Sequence, residues 1–112
     1  MGVFVKGDIV VLPFPFSDLS ASKRRPALVL VSSQRDDVIL CQITSRNIKD
    51  NKAISINIDD VENGSLREIS NIRPNKLFTA DKSIILYKLG NLVPVKTNAV
   101  ISIIVDMFRD ET

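Results

Sequence analysis

Apolar residues in this 112-residue chain come in short, largely β-branched runs, each closed by a proline or a cluster of small polar residues. A buried strand needs only ~4–8 such residues, so this punctuation points to many short strands. Asp8 to Leu12 forms the first run, ended by Pro13, and the polar stretch Phe14–Arg24 follows as a long loop. Pro26 to Val31 is a second buried strand, where a proline at the start costs no central ladder bond. Asp37 to Ile43 is a third, expected to pair antiparallel with Leu28–Val31 across the polar turn Ser32–Asp36. Ala53 to Ile58 alternates, which predicts a half-exposed strand with Ile54, Ile56 and Ile58 inward. Glu62–Ser65 is a turn, Glu68–Arg73 a short strand stopped by Pro74, and Phe78–Asp81 a further turn. Ser83 to Leu92 is a last strand, with Gly90 marking a bulge or close packing.

The period then changes. Val100, Ile103, Ile104, Met107 and Phe108 follow helical spacing, and Pro94 suits a first helical turn, which predicts a helix over Pro94–Arg109. Ile101 and Val105 widen its apolar face, so the helix is expected to bury more than one side. The run is rich in β-branched residues, which makes a strand the competing reading, and its length favours helix. The sum is a single domain over residues 1–112, mainly β, built as a small barrel or strongly bent sheet with a C-terminal α-helix.

One absence limits the chemistry: the chain contains no histidine. Histidine-ligated metal sites, a Ser-His-Asp triad and histidine-activated thiol chemistry are therefore excluded. No metal or cofactor is expected. The single cysteine, Cys41, lies in the apolar run Val38-Ile39-Leu40-Cys41 and is read as a buried, inert thiol. The N-terminus has no charged segment leading into a long apolar stretch, and no apolar run approaches the ~20 residues of a membrane span. A soluble, cytoplasmic protein without membrane contact is the expectation.

Three short stretches could carry chemistry. Lys23-Arg24-Arg25-Pro26 joins the long loop to the second strand, within a segment, Ser20–Arg35, that holds four cations and no acid. Pro26 restricts Arg25 to extended backbone, so its guanidinium would project from a rigid strand start and could fork onto a phosphate. Ile43-Thr44-Ser45 ends the third strand, and antiparallel pairing would set Thr44 beside Arg25. Arg73-Pro74-Asn75-Lys76 brackets a proline-stiffened turn with two cations that could meet phosphates of the same groove. Each stretch has a plainer reading, as a solvated loop, a hydroxyl turn capping a strand, or a polar turn.

Taken in order, Lys6-Gly7-Asp8-Ile9-Val10, Arg24-Arg25-Pro26-Ala27-Leu28-Val29-Leu30, Ile43-Thr44-Ser45, Ile72-Arg73-Pro74-Asn75-Lys76-Leu77 and Lys88-Leu89-Gly90-Asn91-Leu92 resemble the PemK/MazF family of toxins from bacterial toxin–antitoxin pairs. The similarity runs from about Lys6 to Leu92 and rests on the order and spacing of the motifs together. It implies an SH3-like β-barrel with a C-terminal helix, usually a homodimer. It also implies an endoribonuclease that cuts single-stranded mRNA at short sequences, and a cognate antitoxin whose acidic tail blocks the RNA groove. The resemblance maps the catalytic roles onto Arg25 and Thr44, and Lys23, Arg24, Ser45, Arg73 and Lys76 are read from their charge and position as substrate-binding residues.

Two departures stand out. Asn75 replaces the aspartate usual before the lysine, and the first loop lacks the glutamate some members carry, leaving Asp18 as the nearest carboxylate and a candidate general base. Two alternatives remain open at this stage. One is a gyrase-directed toxin of the same fold, resembling the CcdB family, although this chain has no tryptophan for that family's tail. The other is a barrel that binds nucleic acid without cutting it.

Overall fold

Seven strands, all paired antiparallel, form one sheet in the order β4-β6-β3-β2-β1-β7-β5. They are β1 (Asp8–Phe14), β2 (Lys23–Val31), β3 (Asp37–Thr44), β4 (Ile54–Ile56), β5 (Val61–Glu62), β6 (Ser70–Asp81) and β7 (Tyr87–Leu92), followed by helix α1 (Pro94–Arg109). The computed structural model describes residues 3–14, 23–32, 35–46 and 51–110.

The two edge strands, β4 and β5, are neighbours in sequence, joined through a 3-10 turn at Ile58–Asp60. A flat sheet of seven strands would hold its edges ~29 Å apart at ~4.8 Å per strand. The link from Ile56 to Val61 spans at most ~18 Å at ~3.6 Å per residue. The sheet must therefore curl, and the result is a half-barrel with one C-terminal helix, mainly β as the sequence predicts.

Curling gives the sheet two apolar clusters. One gathers Ile9, Leu28, Cys41, Ile43, Ile56, Ile72 and Leu92 with Val100 of α1, and Ile101 and Ile104 pack against it. The other gathers Val10, Leu12, Phe14, Ala27, Val29, Val38 and Leu40. Phe14 meets Phe78 edge to face there, with ring centroids 5.0 Å apart. Strand alternation explains the division, since Ile9 and Val10 must face opposite ways.

The helix occupies the predicted span, with Pro94 in its first turn. The predicted hairpin also forms, through pairs such as Leu28–Cys41 and Ala27–Gln42. The ladder between β1 and β7 shifts register between Ile9 and Val10, where Gly90 and Lys88 are the partners, so the expected bulge is present. A side chain at Gly90 would come within 2.7 Å of the Glu62 carbonyl oxygen, and one at Gly64 within 1.6 Å of the Leu89 carbonyl oxygen. Glycine at both positions lets the turn after β5 close onto β7.

Several boundaries differ from the sequence reading. Pro74 does not stop its strand. Across β3 and β6 the pairs step from Cys41–Leu77 to Ile43–Ile72, so Arg73–Lys76 bulge out opposite Gln42 and Pro74 owes no ladder bond. The Cys41 thiol donates to the Arg73 carbonyl at 2.9 Å and ties the bulge down. β6 then continues through Phe78–Asp81, which is strand and not a turn, because those residues pair with Asp37–Leu40. Pro13 likewise sits inside β1, beyond the residues that pair with β7.

Ile58 is 61% exposed and does not face inward. A reciprocal cap ends the extended chain before it: the Asn57 side chain accepts from the Asp59 N–H, and the Asp60 carboxylate accepts from the Asn57 N–H, each at 2.9 Å. The last strand begins at Tyr87, because Lys82–Ile84 form a second 3-10 turn capped by Asp81. The Ser83 backbone N–H, and then its hydroxyl, hold the Asp81 carboxyl below the usual range.

Asp8 is fully buried. Its carboxylate accepts from the Val5 N–H at 2.9 Å and from the Asn91 side-chain amide, and pairs with Lys88 at 3.1 Å. One side chain thus binds the N-terminal turn to β7. Cys41 is a free, fully buried thiol, and desolvation pushes its pKa up to about 12. No helix among the described residues is long and apolar enough to cross a membrane.

Candidate functional site

An open cleft of about 300 Å³ lies where β2 begins and β3 ends. Arg24, Arg25 and Pro26 of β2 and Ile43, Thr44 and Ser45 at the end of β3 line one side. The connection between β5 and β6 contributes Leu66, Arg67 and Glu68, β6 contributes Ser70, and β7 contributes Tyr87 and Leu89.

Backbone pairing fixes the cationic wall. Arg24, Arg25 and Pro26 pair with Pro13, Leu12 and Val11 of β1. Pro26 holds the residue before it in extended backbone, and the ladder holds it again. Arg25 is half-buried and Arg24 exposed. On the other strand, Ala27 pairs with Gln42, so two further residues in each direction lead to Arg25 and Thr44.

Thr44 is buried and pairs with Asn71 of β6. Its Oγ1 accepts from the Arg46 N–H at 3.2 Å, which leaves its own hydroxyl proton free to donate. The Asn71 side-chain amide donates to the Arg46 carbonyl at 3.2 Å, so the Thr44–Arg46 turn is held against β6. Ser70, also buried, donates its hydroxyl to the Glu68 carbonyl at 3.1 Å and holds the backbone that leads into β6.

Three arginines and one glutamate line the cleft. The ion pairs among the described residues, Lys88–Asp8 and Lys96–Asp60, involve none of them. Among the described residues no carboxylate is ion-paired with these guanidinium groups, and a fork of N–H donors beside a hydroxyl donor suits a phosphate diester. Tyr87, 49% exposed, adds an aromatic face to the same wall.

Of the residues singled out in the sequence, Arg24, Arg25, Thr44 and Ser45 line this cleft. Lys23 begins β2 opposite Phe14, and Asp18 lies outside the described residues. Arg73 and Lys76 sit in the β6 bulge and are not among the residues lining the cleft. Sequence reasoning missed Arg67, Glu68, Ser70 and Tyr87. What brings Arg67, Glu68 and Ser70 to the site is the pairing of β6 with β3, and what brings Tyr87 is the pairing of β7 with β1.

Fold and cleft together define a class: a small, curled antiparallel sheet with an open, arginine-lined pocket edged by hydroxyls. Residues 5–108 match the family described as PemK-like, MazF-like toxin of type II toxin-antitoxin system, and the chain belongs to that family. Solved structures agree on the fold. The MazE–MazF complex (Form III) from Deinococcus radiodurans superposes with a TM-score of 0.76 at 18% identity, covering 96% of this chain and 98% of that one. An endoribonuclease in complex with its cognate antitoxin from a mycobacterial species gives 0.75 at 12% identity, covering 97% and 96%. Mycobacterium tuberculosis toxin MazF-mt6 gives 0.71 at 16% identity, covering 91% and 96%. By sequence, no curated protein matches the chain.

Proposed function

We propose that this toxin cuts single-stranded mRNA at short sequence motifs, in the cytoplasm, by attack of the RNA's own 2′-hydroxyl on the adjacent phosphate. Because the substrate supplies the nucleophile, the protein needs no metal-bound water and no cofactor. Its task is to align the groups and stabilise charge on the phosphate oxygens, usually the largest single catalytic term. Arg25 clamps the scissile phosphate. Thr44 donates its hydroxyl to a phosphate oxygen. Arg24, Lys23 and Ser45 hold neighbouring phosphates, and Arg73 and Lys76 meet the strand outside the cleft. The products are a 2′,3′-cyclic phosphate and a 5′-hydroxyl.

One observation carries this reading: Arg25 and Thr44 line the same cleft, and no acid among the described residues neutralises its arginines. An acidic segment of a cognate antitoxin would occupy the same cationic surface. Assembly as a homodimer has support in the C-terminal helix, whose Val105 and Phe108 are 38% and 71% exposed.

The reading is tested by incubating single-stranded RNA with the protein in EDTA, beside Arg25→Ala and Thr44→Ala. Cleavage by the wild type and its loss in both variants is expected. Intact RNA with the wild type, or normal cutting by both variants, contradicts it.

A further inference from the structure

Attack by a 2′-hydroxyl requires a group to take its proton, and the chain has no histidine for that task. Arginine is permanently protonated, and the Thr44 oxygen already accepts the Arg46 N–H. Of the carboxylates near β7 and the edge strands, Asp8 and Asp60 are committed, and Glu62 lines a separate pocket with Asn91 and Thr97. Asp8 is buried in its bonds to Val5, Asn91 and Lys88, and Asp60 caps Asn57 and faces Lys96. Among the described residues, the cleft that holds Arg25 and Thr44 contains one carboxylate, that of Glu68.

We propose that Glu68 is the general base of the reaction, an inference that rests on the endoribonuclease reading above. Glu68 is exposed, joins none of the ion pairs among the described residues, and has its backbone held by the buried Ser70 hydroxyl at 3.1 Å. Its carboxylate is therefore free to accept a proton while its position is set by the fold. Arg25, at the start of β2, and Glu68, in the connection that leads into β6, line the same cleft.

The step balances without an added reagent. The Glu68 carboxylate takes the 2′-hydroxyl proton, and the 2′-oxygen forms a bond to phosphorus. The bond from phosphorus to the 5′-oxygen breaks, and its electron pair stays on that oxygen, which takes a proton from solvent water. The hydroxide left behind recovers the proton from Glu68, and the carboxylate is restored.

Single-turnover cleavage of a single-stranded RNA in EDTA tests the assignment, using wild type, Glu68→Gln, Glu68→Asp and Arg25→Ala. A positioned general base contributes ~10²–10⁴-fold, so Glu68→Gln is expected to slow cleavage by that factor and Glu68→Asp to recover part of it. Affinity for the same strand carrying a 2′-deoxy residue at the cut site is expected to be unchanged in Glu68→Gln. The acidic limb of the wild-type pH–rate profile is expected to vanish. Wild-type rates in Glu68→Gln while Arg25→Ala is silent would overturn the inference and leave the ribonuclease reading intact. So would a loss of 2′-deoxy affinity as large as the loss of rate, or silencing by Asp18→Asn in place of Glu68→Gln. If the wild type leaves the RNA whole, both readings fail together.

Discussion

Arg25 and Thr44 lie two residues beyond the Ala27–Gln42 pair on adjacent antiparallel strands, and both line one cleft. The arginine brings a fixed charge and the threonine a free hydroxyl proton, so their losses differ in kind. Arg25→Lys keeps the charge and removes the fork, and is expected to lower the cleavage rate by ~10²-fold or more. Thr44→Ser keeps the hydroxyl and is expected to retain most activity, whereas Thr44→Val loses it. Single-turnover rates on one RNA oligomer check both.

Tyr87 presents a half-exposed ring to the cleft wall. Stacking of a base on an aromatic ring is worth ~1–3 kcal/mol, so Tyr87→Ala is expected to weaken RNA binding about tenfold. Tyr87→Phe keeps the face and is expected to bind as the wild type does. Fluorescence anisotropy with a 2′-deoxy-substituted RNA measures the difference without cleavage.

Removing the Asp8 carboxylate orphans the Val5 N–H and the Asn91 amide. Lys88 is 40% exposed and can return to water, so the full penalty of a stranded buried charge does not apply. Asp8→Ala is expected to cost ~1–3 kcal/mol, the range for an unsatisfied buried donor. Urea unfolding with an unchanged slope, read as a lower midpoint, checks it.

Burial lifts the Cys41 thiol from 9.0 to about 12. The unfolded chain ionises first as pH rises, so the unfolded state binds fewer protons across that interval and stability falls with pH there. Below about pH 9 the term is constant. Cys41→Val is expected to lose less stability than the wild type between about pH 9 and 12, as read by paired denaturation curves. At pH 8 the native thiol is expected to resist alkylation, and to react on unfolding.

The exposed Phe108 and Val105 of α1 are expected to be covered in a homodimer. Phe108→Asp is expected to convert a micromolar dimer into a monomer by analytical ultracentrifugation. A wild type that sediments as a monomer contradicts the assembly.

Much of the fold was legible because its signals are local. The helix announces itself through Pro94 and the spacing of Val100, Ile104 and Phe108, and the hairpin through two apolar runs around a polar turn. Boundaries failed where a side chain or a neighbouring strand decides. Asn57 and Asp60 stop the alternation at Ile58, and Pro74 is tolerated because it sits in a β6 bulge opposite Gln42 of β3. Half of the cleft was legible for the same reason: Arg25-Pro26 and Thr44-Ser45 sit at the ends of one hairpin. Glu68 and Tyr87 reach it through pairings of β6 and β7 with distant strands, which no spacing along the chain encodes.

The central claim is that Arg25 and Thr44 act on one phosphate, and a double-mutant cycle tests it most directly. Single-turnover rates of the wild type, Arg25→Ala, Thr44→Ala and the double variant give their coupling. Groups that serve one phosphate predict a double variant little slower than the worse single one, a coupling of at least ~1 kcal/mol. Strictly additive losses would mean that the two side chains work on separate events.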